Sequence, residues 1–145
     1  MPRPYGLPDA VRFVEEFVPA GWATGKEFSW VLRLLSGEVV GSVGVDVDSE
    51  EIGYWLGKAH RGRGYMGEAV AAVLDWWFAQ GADRLVWKCL RGNAPSVAVA
   101  RAAGFRYQPL APARQRQIEE STSRFLYAVL RATDARVPQP GWPQE

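Results

Sequence analysis

Apolar positions recur along this chain in two periods, and their order predicts one α/β unit. Over 9–18, Val11, Val14, Phe17 and Val18 fall on one helical face and Pro8 suits a helix start, so an amphipathic helix is predicted. The period then drops to two. Over 27–34, Phe28, Trp30, Leu32 and Leu34 alternate against Ser29, Val31 and Arg33, the pattern of a strand. Ser36-Gly37 marks a turn and 39–47 reads as the return strand. Asp48-Ser49-Glu50 turns the chain again into 51–56, with Ile52, Tyr54 and Leu56 on one face and Glu51, Gly53 and Trp55 on the other. These three strands read as an antiparallel meander.

The helical period returns over 65–80, where Ala69, Val73, Trp76 and Trp77 make a face wide enough to cover a sheet. A strand over 84–89, a helix over 94–103 stopped by Gly104, a strand beginning at 105–107 and a closing strand over 123–131 follow. The stretch 137–145 holds three Pro and one Gly and is expected to be an extended, poorly ordered end, with Trp142 the residue able to dock. With no repeat and no linker, the reading is one domain over 1–135 followed by a Pro-rich tail over 136–145.

At 145 residues, 48% hydrophobic and 12% aromatic, the chain can bury a proper core, and most of its seven Trp belong to core or pocket walls. A net charge of +1, from 17 basic and 16 acidic residues, gives no electrostatic reason to expect nucleic acid or an anionic membrane as partner. No apolar run approaches a membrane span and the amino terminus lacks a signal pattern, so a cytoplasmic location is expected. One Cys and one His are too few for an internal disulfide or a Cys/His zinc site, so no metal is expected.

The chemistry concentrates at His60-Arg61-Gly62-Arg63-Gly64-Tyr65-Met66-Gly67-Glu68-Ala69. Closely spaced glycines let successive backbone N–H groups turn inward, and the first N–H groups of the following helix have no intrahelical partner, so such a junction binds phosphate. Arg61 and Arg63 add fixed charge. Gly62-x-Gly64-x-x-Gly67 also satisfies a dinucleotide fingerprint, but that reading fails on context. Five residues separate Leu56 from Gly62, the second strand ends on Lys88 and Cys89 rather than on an acid, and the preceding strands are antiparallel. No Gly-Lys-Ser/Thr follows, so a P-loop is excluded.

Residues 51–107 resemble the GNAT family of N-acetyltransferases. Arg61-Gly62-Arg63-Gly64-Tyr65-Met66 meets that family's pyrophosphate pattern, [Q/R]-x-x-G-x-[G/A], except that Met66 replaces the final small residue. Ile52-Gly53-Tyr54-Trp55-Leu56, Gly67-Glu68-Ala69-Val70, Asn93-Ala94-Pro95-Ser96 and Ala102-Ala103-Gly104-Phe105 are similar to the subgroup that acetylates ribosomal-protein amino termini. The resemblance implies an α/β (α+β) fold, with a mixed, mostly antiparallel central sheet, helices on both faces and splayed middle strands. It implies acetyl-CoA as donor and a primary amine, on a small molecule or a protein N-terminus, as acceptor. Coenzyme A would lie on Trp55, Leu56, Arg61, Gly62, Arg63, Gly64, Tyr65, Met66, Gly67, Asn93 and Ser96, with backbone groups near Trp55 and Leu56 meeting the pantetheine amides.

Amine attack requires loss of a proton, and Glu51, at the start of its strand, is the candidate base. Two other readings of the same residue stand beside it: a solvated acidic turn shared with Asp46, Asp48 and Glu50, or an acidic cluster that attracts a cationic acceptor without taking a proton. Ser96 is the candidate acid for the departing thiolate, against a plain helix-cap role for Asn93 or Ser96. His60 reads as a surface or phosphate neighbour against a catalytic role, Cys89 as a small buried hydrophobe against an acyl-carrying nucleophile, and Tyr54 and Tyr107, each able to donate a proton, as core or pocket wall. Arg114, Arg116, Glu119 and Glu120 read as a solvated connection, the alternative being a loop that borders the acceptor site.

Family members begin with an additional strand and helix pair, which by resemblance this chain lacks. A misassigned start, a trimmed domain with an open acceptor cleft, and a wall supplied by a second chain are all open, and an exposed 27–34 edge favours a homodimer. The alternative to an acetyltransferase is a non-catalytic acyl-CoA-binding or sensing domain.

Overall fold

In the computed structural model, which describes residues 23–109 and 124–144, six strands form one sheet in the order β1-β2-β3-β4-β6-β5. β1 (Glu27–Arg33), β2 (Val39–Asp46) and β3 (Glu51–Leu56) are the antiparallel meander, and β1 is an edge of the sheet. The first turn closes with Gly37 N–H donating to Leu34 O at 2.8 Å, and the second carries Glu50 at φ 54. Helix α1 (Tyr65–Ala79) leads to β4 (Arg84–Leu90), and helix α2 (Ala94–Ala102) leads to β5 (Arg106–Gln108). Strand β6 (Phe125–Arg131) inserts between β4 and β5 and is antiparallel to both. The predicted helix over 9–18 and the loop over 114–120 lie outside the described residues.

Register explains where the core sits. Val45 faces Ile52, Ile52 faces Trp87, and Trp87 faces Ala128, which puts these side chains on one sheet face. Met66, Val70, Val73, Leu74 and Trp77 of α1 and Ala100 of α2 close over that face. Both described α-helices therefore lie on the same side, while Val86 and Tyr127 are buried on the other. No helix among the described residues is long and apolar enough to cross a membrane.

The chain after β6 takes no helix or strand over 132–144, and Trp142, the residue expected to be able to dock, does dock. Arg136 pairs with Asp75 of α1 and lies over the Phe78 ring, and Trp142 Nε1–H donates to Phe105 O at 3.2 Å. Half-burying an indole with its N–H satisfied offsets part of the entropy of ordering the segment, which its Pro and Gly content alone does not reveal.

Candidate active site

Among the described strands β3 and β4 are the one parallel pair, and their ladder lasts only from Glu51↔Val86 to Ile52↔Trp87. Beyond Ile52, β3 stays paired to β2 through Leu56 while β4 stays paired to β6 through Leu90, so the two strands part. Gly57 N–H donates to Val40 O at 2.8 Å on the β2 side. Alternation along the strand then aims the amides of Tyr54 and Leu56 into the gap and that of Trp55 back toward β2. The Trp55 indole is 60% exposed and stands on the sheet face opposite Tyr54 and Leu56. Gly41 permits the close β2–β3 approach, because a Cβ there would run into the Trp55 carbonyl.

The gap opens into a cleft of about 560 Å³ that reaches the glycine loop and is lined by Tyr54, Leu56, Arg61 to Gly67 in part, Pro95, Ser96 and Val99. Gly62 and Gly64 have φ of 78° and 80°, and Gly64 is the cap from which α1 starts. No side chain caps that end, so the first N–H groups of α1 face the cleft mouth with the positive end of the helix dipole. Arg61 is pinned by its Nε donating to Leu56 O at 3.1 Å, which closes the loop back on β3, while Arg63 is exposed. His60 Nε2 lies 3.4 Å from Oε1 of Glu38, the residue before β2, so the only histidine is turned toward the β1–β2 turn and does not line the cleft.

At the inner end, Asn93 and Ser96 divide the two roles that sequence left open. Asn93 Oδ1 accepts the Ser96 N–H at 3.3 Å and is the cap of α2. Ser96 Oγ is not a cap: it accepts the Trp87 indole N–H at 3.2 Å. A hydroxyl with a donor on one lone pair aims its own proton elsewhere. Tyr54 donates its hydroxyl to Ser96 O at 2.7 Å, and burial pushes its phenol far above the usual range, so it stays a neutral donor. Half-buried Cys89, whose thiol donates to Leu90 O at 3.3 Å, lines the narrow apex beside Ser96 and Asn93.

On the opposite sheet face lies a second cavity of about 400 Å³ lined by Glu27, Ser29, Ser42, Asp46, Glu51 and Trp55 among others. Glu27 faces Asp46 and Asp46 faces Glu51 across the meander, a row of three carboxylates. Burial, and then the charge of Asp46, raise the Glu27 carboxyl above its usual value. Gly53 and Tyr54 line this cavity and also the apex between β3 and β4, so this stretch of β3 is the junction between the two spaces, one on each face of the sheet. Glu51 opens onto the acidic space and Ser96 onto the cleft, on either side of that junction. Among the described residues, no group of three His, Cys, Asp or Glu could hold a metal ion.

Comparison with known proteins agrees with this geometry. The family model described as an acetyltransferase (GNAT) domain matches residues 1–106, and the chain belongs to that family. It is 30% identical over 108 residues to the uncharacterized N-acetyltransferase p20 of Bacillus licheniformis, a match over 70% of this chain that spans 59% of the relative's length. An acetyltransferase crystal structure from Agrobacterium tumefaciens superposes with a TM-score of 0.69 at 29% identity, covering 88% of this chain and 74% of that one. The ribosomal-protein α-N-acetyltransferase RimL, in complex with coenzyme A, shares the fold at a TM-score of 0.68 and 20% identity, over 87% and 73% of the two chains. The mixed sheet with splayed middle strands and the recognised family thus stand. Tyr54, weighed from sequence as a proton donor as well as wall, and Trp87, read only with the core, both end their hydrogen bonds on Ser96.

Proposed function

We propose that this protein transfers the acetyl group of acetyl-CoA to a primary amine. The observation that carries the reading is the parting of β3 from β4 after two paired residues, because it opens a cleft from the apex to a helix N-terminus. Such a gap leaves sheet backbone unmatched, a cost that a ligand able to exchange amide hydrogen bonds offsets. The pyrophosphate would lie on the N–H groups from Gly62 to Gly67 with Arg61 and Arg63 nearby, and the pantetheine amides along Tyr54 and Leu56. Asn93 and Ser96 flank the thioester end.

The acceptor amine enters from the acidic cavity, whose carboxylate row draws a cation toward the junction. Glu51 takes its proton, the nitrogen attacks the thioester carbonyl, and the Tyr54 N–H is the backbone donor for the oxyanion. As the carbon–sulfur bond breaks, the thiolate takes the Ser96 hydroxyl proton, and the nitrogen gives up its second proton to water, which returns one to Ser96. An acidic acceptor cavity favours a protein N-terminus or a small polycation over an acceptor that itself carries carboxylates. Thiol release from acetyl-CoA, measured against short peptides with a free α-amino group and against small amines, tests the proposal. Coenzyme A binding without thiol release from any of them would leave an acyl-CoA-binding domain instead.

A further inference from the structure

Trp142 sits in a socket that strand register builds. Ile52, Trp87, Ala128 and Tyr107 stand side by side across β3, β4, β6 and β5. Ala128 is a methyl between two large rings, and the gap above it accepts an indole. Trp142 lies there, 5.4 Å from the Trp87 ring at 66° and 5.7 Å from the Tyr107 ring at 39°. Its N–H is fixed on Phe105 O. The segment reaches the socket past Gly104, where φ is +99° and a Cβ would come within 2.8 Å of Arg136 Cα.

The indole beneath is the one that holds Ser96. Trp87 is 1% exposed, and its N–H ends on Ser96 Oγ. Where that N–H points depends on the rotation of the ring, and Trp142 packs edge-on against it. We infer that Trp142 is a positioning residue for the leaving-group end of the cleft: by holding the Trp87 ring it sets which lone pair of Ser96 Oγ is occupied and therefore where the Ser96 proton is aimed. The inference rests on the proposal that Ser96 donates to the thiolate. It makes the segment after the last strand part of the acid's support, acting through the Trp87 ring.

The test reads the sulfur directly and needs no acceptor. Coenzyme A bound to the protein is titrated by the ultraviolet absorbance of its thiolate, with affinity measured by calorimetry, in wild type, Ser96→Ala, Trp142→Ala and the double variant. A hydroxyl aimed at the sulfur favours the thiolate, so the ionised fraction should be raised in wild type and lost in Ser96→Ala. Trp142→Ala should lower that fraction about threefold at unchanged coenzyme A affinity, and add nothing in the Ser96→Ala background. Trp142→Phe, which keeps a ring in the socket, should titrate like wild type, and Trp142→Leu replaces the alanine variant should that one fail to fold. Ser96→Ala altering the titration while Trp142→Ala and Trp142→Leu do not would overturn the inference and leave Ser96 as the donor. An equal further loss in the double variant would also overturn it, because Trp142 would then act by another route. A Ser96→Ala protein that titrates like wild type would remove the Ser96 proposal itself, and this one with it.

Discussion

Tyr54 of β3 donates its hydroxyl to the carbonyl of Ser96 in α2 at 2.7 Å, across 42 residues of sequence. The bond ties β3 to α2 across the cleft, near the point where β3 leaves β4. Tyr54→Phe keeps the ring and removes this tie. The expected cost is about 1 kcal/mol of stability, with weaker coenzyme A binding, measured by thermal melting and calorimetry on the same preparation. Because burial holds the phenol neutral far above the usual range, Tyr54 should contribute no limb to the pH–rate profile near neutrality.

At the glycine loop the expected effects separate backbone from side chain. Gly64 has φ of 80° and a Cβ there would meet nothing within 4 Å, so the strain of Gly64→Val comes from the left-handed backbone and not from a clash within the fold. That side chain would also stand where a pyrophosphate must approach. Coenzyme A binding should nearly vanish in Gly64→Val and weaken modestly in Arg63→Ala, and calorimetry showing full affinity for the valine variant would remove the loop from the binding site.

The two ends of the α2 cap should part company on mutation. Asn93→Ala removes the side chain that accepts Ser96 N–H and should cost roughly 1 kcal/mol of stability. Ser96→Ala keeps that cap and should slow turnover about tenfold to a hundredfold with a small change in melting temperature. A Ser96→Ala enzyme with normal rate would confine the residue to accepting the Trp87 N–H.

How far this site was legible depends on how local its cause is. The alternation of Glu51, Gly53 and Trp55 against Ile52, Tyr54 and Leu56 is a property of six consecutive residues, and the faces fall as read. Gly62 and Gly64 carry their conformational meaning on their own, and the loop does open α1. The clasp on Ser96 was not legible, because Tyr54 and Trp87 reach it only once β3, β4 and α2 are assembled. Nor was the seat of Trp142, which depends on the small Ala128 lying between Trp87 and Tyr107 after β6 has inserted beside β4.

Glu51→Gln tests the base without changing side-chain size. A lost base should lower kcat about 100-fold or more, remove the acidic limb of the pH profile and leave coenzyme A affinity alone. A near-normal rate would return Glu51 to an acidic surface, and a raised KM for a cationic acceptor at unchanged kcat would assign it to attraction.

Glu27 gives a prediction in which stability and function move in opposite directions. It faces Asp46 in the carboxylate row, and burial followed by that charge raises its carboxyl in the folded protein. A raised acid means that the folded state binds the proton more tightly than the unfolded state, so this residue destabilises the fold as pH rises from the unfolded value, 4.5, through the folded one. Below that window both states are protonated and the penalty is absent; above it the penalty is complete. Glu27→Gln removes the ionisation and should raise the melting temperature slightly at pH 7, by about 1 °C for a group this exposed to solvent, and leave it unchanged well below pH 4. In the same variant, KM for a cationic amine acceptor should rise while coenzyme A affinity stays constant, because the row that repels itself is the row that attracts the acceptor. Melting curves across pH and acceptor KM on one preparation check both halves, and a melting temperature that falls at pH 7 would show that the Glu27 carboxylate is stabilised where it sits.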